Sequence, residues 1–265
     1  MAKNFALLQR YWQEWNTPLD TIVKTSGAGA RLYFPPGLKE VGKENGLTII
    51  KPYTPICIYD APQKGSSKKR GPSHRLIIVI DGTFKLAAEL DRPCLMGASC
   101  NVTFLSKTHE SDDALRVKII DALHFDVEDA ENSTAFHPIF HAQRGLGTTS
   151  EACREVLQHI THGNIANIEV DLLDEDHVLS NPNFRLPTPQ LDLFAVVTMV
   201  AADYFCNPNE KIKSTGGIER FRSVLNLLAH DKNLVMQGNS AMTLKRRMWG
   251  ADNICAAHWY PELSA

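Results

Sequence analysis

Three of the ten histidines in this 265-residue chain fall between Leu123 and Arg144. They stand in Leu-His-Phe-Asp-Val-Glu-Asp (123–129) and in Phe-His-Pro-Ile-Phe-His-Ala-Gln-Arg (136–144). Imidazole is the side chain whose ordinary pKa lies near neutrality, so grouped histidines can take up and return protons. His124, His137 and His141, with Asp126 on the first segment and Arg144 or Arg185 as the cation that neutralises a phosphate, fit metal-free cleavage of a phosphodiester. The same residues fit a structural role, with His124 and Asp126 an ordinary hydrogen-bonded pair at a sheet edge and the other histidines at the surface. Arg185 likewise fits a loop cap paired with Asp192. A metal is not expected: His137 and His141 are four residues apart, which along a strand is roughly 13 Å, and Pro138 between them argues against a helix. No cofactor is expected either. Ser26-Gly27-Ala28-Gly29-Ala30 lacks the third glycine of a dinucleotide fingerprint and the Gly-Lys-Ser/Thr ending of a phosphate loop. There is no Gly-x-Ser-x-Gly, and Cys57, Cys94, Cys100, Cys153, Cys206 and Cys255 contain no Cys-x-x-Cys.

Both histidine-bearing segments alternate apolar and polar residues with period two, which predicts two antiparallel strands. The predicted register sets His124 opposite His141 and Glu128 opposite His137. It sends Leu123, Phe125, Val127, Phe136 and Phe140 to the other face, beneath an apolar helix from Leu191 to Phe205. Upstream, Leu76 to Ile80 and Phe84 to Leu90 read as strands joined by a tight Asp81-Gly82 turn. Ser99 to Ser106 reads as a third strand, and residues 115–127 as a long fourth one leading into the histidine hairpin. The expected fold is α+β, an antiparallel meander of about five strands covered by N-terminal and C-terminal helices. It is read as one domain over 1–265: a helical and loop-rich part at 1–60, the sheet at 74–146 and a helical part at 148–265. Phe5, Leu8, Tyr11, Trp12, Trp15, Leu19 and Val23 form a helical stripe near the N-terminus, with Pro18 breaking or restarting it. Thr148-Thr-Ser-Glu151 resembles a capping box for a helix running to about His162, and further helices are expected over 218–230 and 240–249.

Charge is nearly balanced, with 28 Lys plus Arg against 30 Asp plus Glu, so no overall field draws the chain to nucleic acid or an anionic membrane. Any contact with nucleic acid has to be local: Lys64, Lys68, Lys69 and Arg70, among Gly and Ser, read first as a solvated loop between strands and, as the alternative, as an arm that contacts phosphates. Scattered thiols and the lack of a long apolar run predict a cytoplasmic protein that does not enter a membrane. A protein partner or a second copy is the alternative source of function. Trp12 and Trp15 in the first helix, and Trp249, Trp259 and Tyr260 near the end, are its aromatic anchors.

His-Phe-Asp at 124–126, His-Pro-x-x-His at 137–141, and Arg-Leu-Pro-Thr-Pro at 185–189 before an apolar helix ending Asp-Tyr-Phe205 together resemble an uncharacterised bacterial family known only as a domain of unknown function. The resemblance covers roughly residues 74–206 and extends more loosely to small bacterial toxins with a histidine-rich strand, although this chain lacks their run of adjacent histidines. It implies a toxin–antitoxin or phage-defence setting. The reading carried forward is a cytoplasmic effector acting on RNA or another phosphodiester without a metal; the alternative is a non-catalytic subunit of a larger defence or toxin–antitoxin assembly.

Overall fold

The computed structural model describes residues 2–25, 29–62, 75–86, 95–127, 140–145, 148–171, 186–187 and 192–205. Its centre is three long antiparallel strands, β5 (Arg75–Leu86), β6 (Leu95–Glu110) and β7 (Ala114–Val127). They are long because each alternates or runs continuously in Ile, Val, Leu and Phe, the residues that fit a pleated, buried surface. Among the described residues the sheet has ten strands. Along the outer edge of β5 lie β4 (Ile56–Pro62) and β3 (Leu47–Pro52), end to end, with β1 (Arg31–Tyr33) outside β4 and β2 (Leu38–Glu44) outside β3. The far edge of β7 is likewise shared. β8 (Phe140–Arg144) pairs with its last residues and β9 (Asn167–Asp171) with its first, while β10 (Leu186–Pro187) pairs with β8. The β7–β9 pair is parallel, and the connection from β8 to β9 runs through α2 (Ser150–Ile160), the crossover that reaching a parallel neighbour requires.

Each face of the sheet has its own core. On one face, Ile56, Ile78, Ile80, Val102 and Phe125 pack with α1 (Ala2–Thr25) and α3 (Leu193–Phe205). Leu8, Trp12, Trp15, Leu19, Ile22 and Val23 of α1 are fully buried there, each worth about 1.5–3 kcal/mol of removed apolar surface. On the other face, Cys57, Tyr59, Ile77, Val79, Leu105, Val117 and Ile119 pack with Cys153, Val156, Leu157 and Ile160 of α2.

These observations correct the expected fold. An α+β meander of about five strands between helical ends is replaced by a mostly antiparallel ten-stranded sheet with three helices among the described residues. Strands β1 to β4 lie in or at the end of the part labelled helical and loop-rich, where the apolar runs Leu47–Ile50 and Ile56–Tyr59 between prolines read as short strands and fall in β3 and β4. The Asp81-Gly82 turn is also corrected, because β5 runs straight through it. Gly82 is needed there for close approach: a Cβ would lie 2.4 Å from the Ser99 carbonyl oxygen and 3.4 Å from Leu193 Cδ1. Helix α1 continues through Pro18, since Trp15 before it and Leu19 and Ile22 after it are held in the same core. Helix α2 starts as its capping signal predicts but one residue later: Thr149 is the N-cap, its side chain accepting from Ala152 N at 3.3 Å. The helices expected at 218–230 and 240–249 lie outside the described residues.

Candidate functional site

Residues directly opposite one another on neighbouring strands share a face, so the register places side chains across the sheet. One row runs through four strands on the α2 side: Asp81 of β5, Asn101 of β6, His124 of β7 and Gln143 of β8. The next row on that face is Thr83, Ser99, Asp126 and His141, with Pro187 of β10 beyond. Helix α2 begins at the neighbouring row, where Thr148 N donates to Thr103 Oγ1 at 2.7 Å. Apolar face under α2 thus gives way to a polar strip at the helix's N-terminal end.

His124 is the best-positioned group in the strip. Its Nδ1 lies 2.7 Å from Asn101 Oδ1, across the β6–β7 pair, and its Nε2 lies 3.4 Å from Asp126 Oδ2, two residues along its own strand. The amide oxygen accepts from Nδ1, which holds the orientation of the ring and sets Nε2 facing the carboxylate. Both side chains are part-buried, at 22% and 27% exposure, so water screens the contact incompletely. Two buried acceptors border the strip: Gln143 Oε1 and Thr148 Oγ1 have no hydrogen-bond partner among the described residues. Asp81, at the other end of the first row, has its carboxyl pushed above the usual range by burial, against the Gly82 N–H that donates to it at 2.9 Å and the opposing charge of Lys51. Cys153 is no nucleophile, because burial and then the Asp81 charge push its thiol up to about 12.

The sequence-predicted set separates on this geometry. His124, Asp126 and His141 share the face, but the predicted register is corrected: His124 is opposite Gln143, and His141 is opposite Asp126. The shift is two residues, which leaves the faces unchanged. Arg144 is corrected outright. It stands opposite Leu123 on the other face of the sheet, 3.3 Å from Asp121, and cannot reach a substrate held by His124. His137, Glu128 and Arg185 lie outside the described residues, as does the basic patch at Lys64, Lys68, Lys69 and Arg70. Asn101, Asp81 and Gln143 were not singled out from sequence. A lone polar residue in a strand carries no local signal, although Ser99 and Asn101 do alternate with Cys100 and Val102.

A second polar network lies elsewhere. Lys107 Nζ contacts Asp60 Oδ1 and Glu110 Oε2, each at 2.7 Å, and Tyr59 donates to Glu110 Oε1 at 2.6 Å. Arg31 lies 4.6 Å and Lys107 4.8 Å from the Tyr59 ring centroid. These groups satisfy one another around the bulge at Asp60, where φ is 61°, and they tie β4 to β6. Among the described residues no three His, Cys, Asp or Glu side chains are gathered to hold a metal, the imidazole of His141 not being one of those described. No described helix is long and apolar enough to cross a membrane. No family model, curated protein or solved structure matches the chain.

Proposed function

We propose that the polar strip across β6, β7 and β8 is the centre of a cytoplasmic effector acting on RNA or another phosphodiester, in a toxin–antitoxin or phage-defence setting. His124 and Asp126 together activate the attacking oxygen. The observation that carries this reading is the setting of the imidazole, with Asn101 fixing one ring nitrogen and Asp126 facing the other. Arg185, the cation assigned to the phosphate from the sequence, lies outside the described residues. The rival interaction-module reading loses its N-terminal support, because Trp12 and Trp15 are 1% and 0% exposed and belong to the core. Its remaining anchors, Trp249, Trp259 and Tyr260, lie outside the described residues.

The test is cleavage of end-labelled single-stranded RNA by the purified full chain. His124→Ala combined with Asp126→Asn is expected to lower the rate by about 10²–10⁴-fold, the usual worth of a positioned acid–base pair. Arg144→Ala, on the opposite face, should leave it unchanged. Absence of cleavage of any RNA or DNA by the wild type, or full activity in the double variant, overturns the reading.

A further inference from the structure

We propose that Lys39, Lys51 and Tyr53 hold a single strand of RNA on the α2 side of the sheet, its backbone running from them across β5 and β6 toward His124 and Asp126. The register carries the polar strip outward past β5. Ile49 of β3 is opposite Lys85 of β5 and Ile50 is opposite Phe84, so Lys51 follows on the α2 side, beside Thr83. Lys39 of β2 is opposite Lys51. The row of Thr83, Ser99 and Asp126 therefore ends in two lysines. Burial raises the Asp81 carboxyl, and the charges of Lys51 and Lys39 both act against it, which sets the two ammonium groups on the side of the strip. From Lys51 to Asp126 is three strand spacings, about 14 Å.

Like charges directly opposite one another destabilise a strand pair, their Cβ atoms being about 4.5–5.5 Å apart. Lys85, on the same face, is paired with Glu44 at 2.9 Å, but neither Lys39 nor Lys51 forms an ion pair with a described residue. Lysine on an edge strand discourages pairing with another chain, which accounts for Lys39 and Lys43 of β2. It does not account for Lys51, because β3 lies between β2 and β5. A phosphate held between the two ammonium groups turns their repulsion into attraction. Tyr53 supplies the other half of the surface. Its N–H donates to Gly37 O at 3.1 Å, which extends the β2–β3 register by one pair. It is 53% exposed, with Lys39 Nζ 5.8 Å from its ring centroid. Cations that follow the phosphates beside an aromatic ring on which a base stacks hold single strands with little regard to sequence. A duplex keeps its bases stacked on one another and offers none to Tyr53. The end of the path at His124 and Asp126 rests on the proposed phosphodiester chemistry; the binding itself does not.

The full chain is titrated into a fluorescein-labelled single-stranded RNA of about 12 nucleotides, 2′-O-methylated to withhold the 2′-hydroxyl from reaction, and anisotropy is read over about 50–500 mM salt. Lys39→Gln combined with Lys51→Gln is expected to reduce the salt slope of log K by about 1.4, two phosphates at about 0.7 each, and to weaken binding roughly 60-fold at about 50 mM. Tyr53→Ala should weaken it about 5–150-fold, the worth of one stacked base, with the slope unchanged. Lys43→Gln, on the same strand but opposite Thr48 on the other face, should match wild type in both. Far-UV circular dichroism and melting temperature verify that each variant is folded. No saturable binding by wild type, wild-type affinity in the folded lysine double variant, an equal loss in Lys43→Gln, or equally tight binding of the corresponding duplex overturns the proposal. RNA that is bound but never cut refutes only the phosphodiester chemistry. Cutting that continues undiminished in the folded lysine double variant refutes the track and leaves that chemistry standing.

Discussion

Replacing Gly82 with Ala tests the packing that sets the polar strip in place. The added Cβ would lie 2.4 Å from the Ser99 carbonyl oxygen and 3.2 Å from Cys100 Cα, both backbone atoms of β6. Interstrand carbon–oxygen contacts settle at about 3.3–3.6 Å, so β5 and β6 must separate locally by roughly 1 Å. Leu193 Cδ1, 3.4 Å from the same point, restricts movement toward α3. Stretching one or two ladder hydrogen bonds, at about 0.5–1.5 kcal/mol each, and crowding a packed interface together cost about 2–3 kcal/mol. Reduced freedom of the unfolded chain returns about 0.4–1 kcal/mol, leaving a net loss of roughly 2 kcal/mol. In a chain of this size that lowers Tm by roughly 4–8 °C. Gly97→Ala is the matched control, because the three atoms nearest its Cβ all belong to the flexible Lys85 side chain, at 3.2–3.5 Å, and it should stay within about 0.5 kcal/mol of wild type. Urea and thermal melts of both variants measure the difference. Equal stability of Gly82→Ala and wild type would refute the argument from close approach.

Two further predictions concern pH. Asp81, its carboxyl raised by burial, opposes folding once ionised, so wild-type stability declines as pH rises from 3.8 through the raised folded value. Asp81→Asn should therefore be more stable than wild type at pH 7 and indistinguishable from it below pH 3.8, and a destabilised variant at pH 7 in urea melts contradicts this. Burial works to raise Glu110, but hydrogen bonds from Lys107 and Tyr59 outweigh it and hold the carboxyl below its ordinary 4.5. Its contribution is present above pH 4.5 and is lost as pH falls through the lowered folded value, so the deficit of Lys107→Met in thermal melts should shrink on acidification below 4.5. A deficit that stays constant with pH removes the linkage.

Alternation made the β7–β8 pairing and the face of His124, Asp126 and His141 legible in the sequence, because parity is a local property. Register is not local: a shift of two residues keeps every side chain on its face, and only the observed pairing sets His141 against Asp126 instead of His124. Arg144 falls under parity and not register: along β8 it shares the face of Phe140 and Ala142, away from that of His141. Asp81-Gly82 has the composition of a turn, and the reason it is strand, contact with Ser99 and Leu193, lies 17 and 111 positions away in sequence. The proline-rich stretch from Leu32 to Asp60 reads as short edge strands and loops, and its apolar runs Leu47–Ile50 and Ile56–Tyr59 fall in β3 and β4, whereas the apolar stripe of α1 outweighed the break expected at Pro18. Asn101 became visible only as the residue opposite His124.

The partnership of α1 with α3 has a consequence for how the chain is made. Trp15 rests 5.0 Å, centroid to centroid, from Phe194, and Trp12 rests 5.8 Å from it. The partner is therefore translated about 180 residues after the tryptophans, a delay of roughly 10–35 s at ordinary elongation rates. Throughout that interval the first helix has Phe34, 4.5 Å from Trp12, and the sheet residues Ile56, Ile78 and Ile80 as cover but lacks the part that α3 supplies. During biosynthesis the Trp12 and Trp15 rings thus wait for Phe194, and a ribosome pause before Leu193 would prolong that wait.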